Sequence, residues 1–167
     1  MNPALSPARA RAALEEAASR HEREFASFAF RMTGSEEAAR DCVQDAFLRA
    51  VAAVAEGARP ENPRPWLYRL VYHAAVDRLR RATVEERALG RLAAREAARE
   101  TPSGDLERLA GALPSPYREI VFLRYAGDFS YAEMESILGT PAGTLRVYAA
   151  RALERIHGKL KERRDGL

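Results

Sequence analysis

Apolar residues recur along this chain at spacings of three and four, and no alternating β-branched run is bounded by turn residues. That is the signature of amphipathic helices. Ser6-Pro7 reads as an N-cap with proline at the first helical position. Leu14, Ala18, His21, Phe25, Phe28 and Met32 then form one apolar stripe on a long helix. Gly34 stops it, and Ser35 followed by Glu36 and Glu37 opens the next, with acid at the positive helix end. This second helix, about 36–55, gathers Ala39, Cys42, Val43, Ala46, Phe47, Ala50 and Val54 on one face, and Gly57 ends it. Arg59-Pro60-Glu61-Asn62-Pro63-Arg64-Pro65 places three prolines in six residues, which predicts a stiff, extended connection. A third helix is expected from about Pro65 to Arg81. It is apolar on two sides, with Trp66, Leu67, Leu70, Val71 and Ala74 on one and Tyr68, Tyr72, Ala75, Val76 and Leu79 on the other. Its polar stripe is narrow: Arg69, His73, Asp77 and Arg80. Such a helix packs between others and shows one edge to the outside.

Residues 82–100 are rich in Ala, Arg and Glu, with little to bury, and Thr101-Pro102-Ser103-Gly104 breaks any helix. We expect a linker at 82–104 between domains at 1–81 and 105–167. In the second domain Leu106, Leu109, Ala110 and Leu113 outline a short helix, and Pro114-Ser115-Pro116 starts another that buries Ile120, Phe122 and Leu123. Gly127-Asp128 turns the chain. Ser130 and Glu133 form a capping box ahead of a helix burying Met134, Ile137 and Leu138, which Gly139 stops. Thr140-Pro141 starts the last helix, with Leu145, Ala149, Ala152, Ile156 and Leu160 inward. The expected fold is all-α: two small helical domains joined by a flexible linker.

The composition fits. In 167 residues, 47% are hydrophobic and 31% charged, enough to bury a core. One cysteine, Cys42, excludes an internal disulfide framework and a cysteine-based zinc site. Cys42 and His21, both on apolar stripes, are expected in the core. His157 lies off its stripe and is expected in solvent. No run approaches a membrane span, and Glu15 and Glu16 stand where an export signal would be apolar. A cytoplasmic protein without membrane insertion is expected. No Gly-rich phosphate loop, metal cluster or nucleophile–base arrangement is visible, so neither enzyme nor cofactor nor small-molecule substrate is expected.

The net charge of +3 is unevenly spread. Residues 61–81 carry a net +3 and residues 139–164 a net +5, each after an acidic segment. Two basic segments suit two contacts with a polyanion, although solvated helix faces would give the same balance. The capped short helix, glycine turn and longer basic helix describe a helix-turn-helix. Thr144, Arg146, Val147, Ala150 and Arg151 project away from the buried stripe of its second helix, and Arg155 continues the positive face. Arg reads guanine bidentately or binds phosphate. The amides of Ala142 and Gly143 at the helix start suit a backbone phosphate. A plain helical hairpin is the competing reading.

At this level of detail the chain resembles a family. LPSPYREIVFLRYAGDFSYAEMESILGTPAGTLRVYAARALERI resembles region 4 of bacterial sigma factors. FRMTGSEEAARDCVQDAFLRA and PRPWLYRLVYHAAVDRLRR resemble region 2. Possession of regions 2 and 4 alone is similar to the extracytoplasmic-function (ECF) group. The resemblance spans about 20–164. It implies a promoter-specificity subunit that binds core RNA polymerase and promoter DNA, directs −10 melting, and answers to an anti-sigma factor. It places the polymerase contact on Asp41, Gln44, Asp45 and Arg49. It places the −10 contact on the proline-rich loop and third helix, where Arg59 or Asn62 meets a flipped base and Arg69, Tyr72, His73, Arg80 and Arg81 face the strand. It places the −35 contact on Thr144, Arg146, Val147, Ala150, Arg151 and Arg155. Trp66 is read as core; Tyr68 and Tyr72 are open between core packing and base stacking. Val147 and Ala150 stand where the family has hydrogen-bonding or aromatic groups. The alternatives are a sigma mimic that sequesters an anti-sigma protein, and a free-standing helix-turn-helix repressor, which would normally dimerise on a palindrome.

Overall fold

The computed structural model describes residues 6–88 and 109–165. The chain divides into two compact units, residues 1–94 and 95–167. Every described element is helical.

The first unit is three helices that all pack on one another. Helix α1 (Pro7–Thr33) begins as its sequence requires: the Ser6 hydroxyl accepts from the Arg9 amide at 3.3 Å, and Pro7 spends no amide. It ends at Gly34, whose φ of 72° is the left-handed conformation that glycine reaches without a Cβ penalty. Helix α2 (Glu36–Ala55) is capped by the Ser35 hydroxyl, which accepts from the Ala38 amide at 3.3 Å. Helix α3 (Pro63–Ala88) differs from expectation at both ends. It starts two residues earlier, because Pro63 and Pro65 lack only amides that the first turn would leave unpaired anyway. It runs past Arg81 to Ala88, since Ala, Arg and Glu favour helix even with little to bury. The rest of the expected linker, with Thr101-Pro102-Ser103-Gly104, and Leu106 lie outside the described residues.

The core of this unit is aromatic at its centre. Phe25, fully buried, meets the rings of Tyr68 at 4.9 Å and Phe47 at 5.7 Å, and Tyr68 also meets Phe28 at 5.2 Å. These ring contacts, with Met32, Cys42, Val43, Ala46, Leu67 and Val71, bind the three helices together. Several expectations need correction. His21 is half-buried at the rim, where its Nδ1 lies 2.9 Å from Glu24 Oε1. Trp66 and Leu70 are also half-buried, and Val76 is exposed, because α3 is covered by two helices and not on all sides.

The described part of the second unit starts with a helical turn at 109–111. Helix α4 (Tyr117–Val121) then widens into a π turn at Phe122–Ala126, where the Gly127 amide reaches the Phe122 carbonyl five residues back at 2.9 Å. The sequence pattern of this stretch is that of an ordinary helix. Helix α5 (Tyr131–Leu138) has the expected capping box: Ser130 amide to Glu133 at 2.9 Å, Glu133 amide to the Ser130 hydroxyl at 3.2 Å. Gly139, at φ 68°, ends it, and helix α6 (Ala142–Asp165) follows. Leu109, Ala110, Leu113, Val121, Phe122, Ala152 and Ile156 form one cluster. Phe129, Met134, Ile137 and Leu145 are also fully buried. Leu160 is exposed, contrary to expectation, although its neighbour Lys159 reaches back to the Ala112 carbonyl at 3.4 Å.

Candidate functional site

The candidate polymerase face lies on α2. The stripe that buries Cys42, Val43, Ala46 and Ala50 turns Asp41, Gln44 and Arg49 outward, with Asp45 half-exposed. Asp45 pairs with Arg49 at 2.8 Å, one helical turn on. Asp41 pairs with Arg78 of α3 at 3.2 Å. Between α2 and α3 a groove of about 600 Å³ runs past these charges and Asp77, Arg81 and Glu85, with Cys42 among its lining residues. Burial pushes the Cys42 thiol up. The structure adds two residues that charge alone did not mark. Leu48 is 65% exposed and Val51 45% exposed. Leu48 follows Gln44 by four residues and Val51 by seven, so both continue its outward face. Their signal in the sequence was large apolar residues off the buried stripe.

The candidate −10 face is built by the loop from Glu56 to Asn62 and the start of α3. Arg59 and Asn62 are placed differently. The Arg59 guanidinium donates to the carbonyls of Val54 at 2.8 Å and Ala58 at 2.7 Å, closing the end of α2. Asn62 is exposed. The start of α3 is anchored to α1: Arg64 Nη2 donates to Glu24 Oε2 at 2.8 Å, and Tyr68 donates to the same oxygen at 3.4 Å. Burial raises the Glu24 carboxyl, but hydrogen bonds from His21 and Arg64 outweigh it and hold the group below its ordinary range. Burial likewise drives the Tyr68 hydroxyl well above the usual tyrosine value. At 3% exposure Tyr68 is core. Tyr72 is half-buried with its ring 5.6 Å from that of His73. Arg69, His73 and Arg80 are exposed along the outer edge of α3, while Arg81 borders the α2–α3 groove beside Asp41.

The candidate −35 face is α6. Leu145, Ala149, Ala152 and Ile156 point inward. Val147, Ala150 and Arg151 point outward, and so does Glu154, an acidic residue absent from the expected set. Arg146 and Arg155 stand nine residues apart, about two and a half turns, and so flank that face on opposite sides. Each lies over a ring: Arg146 on Tyr131 of α5 at 5.2 Å, Arg155 on Tyr117 of α4 at 4.8 Å. Thr144 is half-buried on the Arg155 side. The start of α6 corrects an expectation. The Ala142 amide is taken, donating to the Glu135 carboxylate at 2.8 Å.

Among the described residues, no group of three or more His, Cys, Asp or Glu is placed to hold a metal ion, and no helix is long and apolar enough to cross a membrane.

Comparison with known proteins gives these faces a context. Family models for Sigma-70 region 2 and Sigma-70 region 4 match residues 17–84 and 103–156. The ECF RNA polymerase sigma factor SigM of Mycobacterium tuberculosis is 31% identical, over 87% of this chain and 76% of that protein. The RNA polymerase sigma factor SigV of Bacillus subtilis is 27% identical over 80% of this chain and 82% of its own length. Among solved structures, the sigma factor RpoE in complex with the anti-sigma factor NepR from Bartonella quintana shares the fold with a TM-score of 0.73. It is 23% identical and covers 88% of this chain and 96% of its own. CnrH in complex with the cytosolic domain of CnrY follows at 0.66, 24% identical, covering 93% and 92%. With both regions matched in order and a relative of 31% identity along most of its length, the chain belongs to the extracytoplasmic-function group of RNA polymerase sigma factors.

Proposed function

We propose that this chain is a dissociable, non-catalytic promoter-specificity subunit that works with core RNA polymerase in the cytoplasm. Region 2 docks on the core through the outward face of α2: Asp41, Gln44, Asp45 and Arg49, extended by Leu48 and Val51. Such a face, charged groups around an exposed apolar patch, suits a protein partner. Asn62 and the outer edge of α3, with Arg69, Tyr72, His73 and Arg80, meet the −10 strand, and Arg81 supports this edge from the groove. Region 4 sets α6 in the major groove at the −35 element, with Val147, Ala150 and Arg151 central, Arg146 and Arg155 on the flanks, and Thr144 at the helix start.

The single observation that carries this reading is the pairing on one chain of two compact units with different faces. One shows the acidic and apolar face of α2. The other is a capped helix-turn-helix with a basic second helix. A repressor of the helix-turn-helix type has no use for the first unit. One similar solved structure is a complex with an anti-sigma factor and another a complex with the cytosolic domain of a second protein, which supports a protein antagonist for this chain as well.

The test is co-elution of the full chain with core RNA polymerase, wild type against Asp45→Arg and Leu48→Ser. Both side chains face outward, so each variant is expected to keep its helicity and lose core affinity. Unchanged affinity with unchanged helicity assigns the core contact to another face.

A further inference from the structure

Two guanidiniums lie over one ring in the second unit. Arg124 sits 5.4 Å and Arg146 5.2 Å from the centre of Tyr131. The ring is held by its surroundings. Tyr131 is the first residue of α5, inside the Ser130–Glu133 capping box, and it is half-buried. Arg124 belongs to the π turn, and its Nη1 donates to the Phe129 carbonyl at 3.1 Å. Phe129 in turn is fully buried. Ring, cap and turn thus form one rigid support beside the exposed flank of α6 from which Arg146 projects.

An exposed arginine samples many rotamers, and ordering it on binding subtracts from affinity. A cation over a ring face is drawn to the ring quadrupole, which removes part of that cost in advance. We propose that Tyr131 is a positioning residue for Arg146: its ring holds the guanidinium of the second helix ready at the edge of the DNA-facing surface. This rests on the reading of α6 as the −35 contact. Tyr131 acts through its ring face, so the hydroxyl is dispensable and the effect exists only while Arg146 is present. Val147 and Ala150 bring no hydrogen-bonding group to the face, which leaves more of the contact to Arg151 and the flanking arginines.

The experiment uses the full chain bound to core RNA polymerase and a duplex that the wild type enriches from a fully randomised pool. Tyr131→Leu is expected to weaken binding by about two- to fivefold, the range for an exposed cation–ring contact. Tyr131→Phe is expected to bind like wild type. With Arg146→Ala already present, Tyr131→Leu is expected to change nothing further, whereas with Arg151→Ala it should cost its full factor. In the free chain, the ring-current shift of the Arg146 side-chain protons should survive Tyr131→Phe and vanish in Tyr131→Leu. Should Tyr131→Leu fail to fold, Tyr131→Gln takes its place. An equal loss in the Arg146→Ala background, or an equal loss on Tyr131→Phe, overturns the proposal and leaves the −35 reading standing. A wild type that enriches no duplex, or an Arg146→Ala variant that binds like wild type, overturns the role of Arg146 in DNA reading and the role of Tyr131 with it.

Discussion

The Ala142 amide donates to the Glu135 carboxylate at 2.8 Å, across the turn that joins α5 to α6. Glu135 sits in the last turn of α5, so the first helix of the motif caps the second. A carboxylate at a helix N-terminus satisfies an amide that otherwise has no intrahelical partner and meets the positive end of the dipole. Replacing Glu135 with Ala is expected to cost about 1 kcal/mol of α6 stability, the usual worth of a side-chain cap. Hydrogen exchange of the α6 amides reads this directly, as a loss of protection of about fivefold confined to the second unit.

Arg118 and Glu119 form an ion pair at 3.2 Å inside the second unit, with side-chain exposures of 6% and 3%. Among the described residues, Arg118 Nε and Glu119 Oε2 have no hydrogen-bond partner. Removing one member of such a pair leaves a buried charge uncompensated, which costs more than the pair itself contributes. Glu119→Ala should therefore destabilise the unit by about 3–5 kcal/mol, while replacement of both residues by apolar groups should recover much of the loss. Urea unfolding followed by far-ultraviolet circular dichroism compares the single and double variants.

Gly127 is required by a close approach. A Cβ there would stand 2.8 Å from Cδ2 of Phe129, whose ring is fully buried. The ring cannot move away without disturbing the core. Gly127→Ala is expected to cost about 1–3 kcal/mol, the range for overpacking, and to disturb the turn that holds Arg124. Thermal unfolding against wild type measures it.

The acid limb of stability should carry a contribution from Glu24. Its folded carboxyl titrates below the ordinary 4.5. A depressed acid stabilises the folded chain at pH above the unfolded value, and that contribution disappears as pH falls through the lower folded value. Glu24→Gln removes this dependence, so its stability should lie below wild type at neutral pH and converge with it in strong acid. Fluorescence of Trp66, the single tryptophan, follows the first unit through a pH series of urea titrations.

Helix caps were readable in the sequence because their chemistry is local. Ser6, Ser35 and Ser130 cap their helices as their order in the chain implies, and Gly34 and Gly139 end them. The outward faces of α2 and α6 were readable because a buried stripe fixes its opposite side. Partnerships across elements were not. Nothing in the local pattern tells that Glu24 receives Arg64 forty residues on, that Arg59 turns inward to close α2, or that Tyr131 and Tyr117 take the flanking arginines. The π turn escaped for the same reason: Phe122–Ala126 has an ordinary helical pattern, and its widening shows only in the backbone hydrogen bonds. His21 and Leu160 lay on the right stripes, but a stripe does not say where the covering helices stop.

In vitro transcription from a library of random upstream sequences, with core RNA polymerase alone and with the full chain added, tests the central claim most directly. The account predicts transcripts that depend on the chain and start at a fixed distance from an enriched two-part sequence, with a constant spacer between the parts. Asp45→Arg should abolish them. A chain that binds core polymerase yet raises no transcript above core alone, from any sequence in the library, contradicts the account.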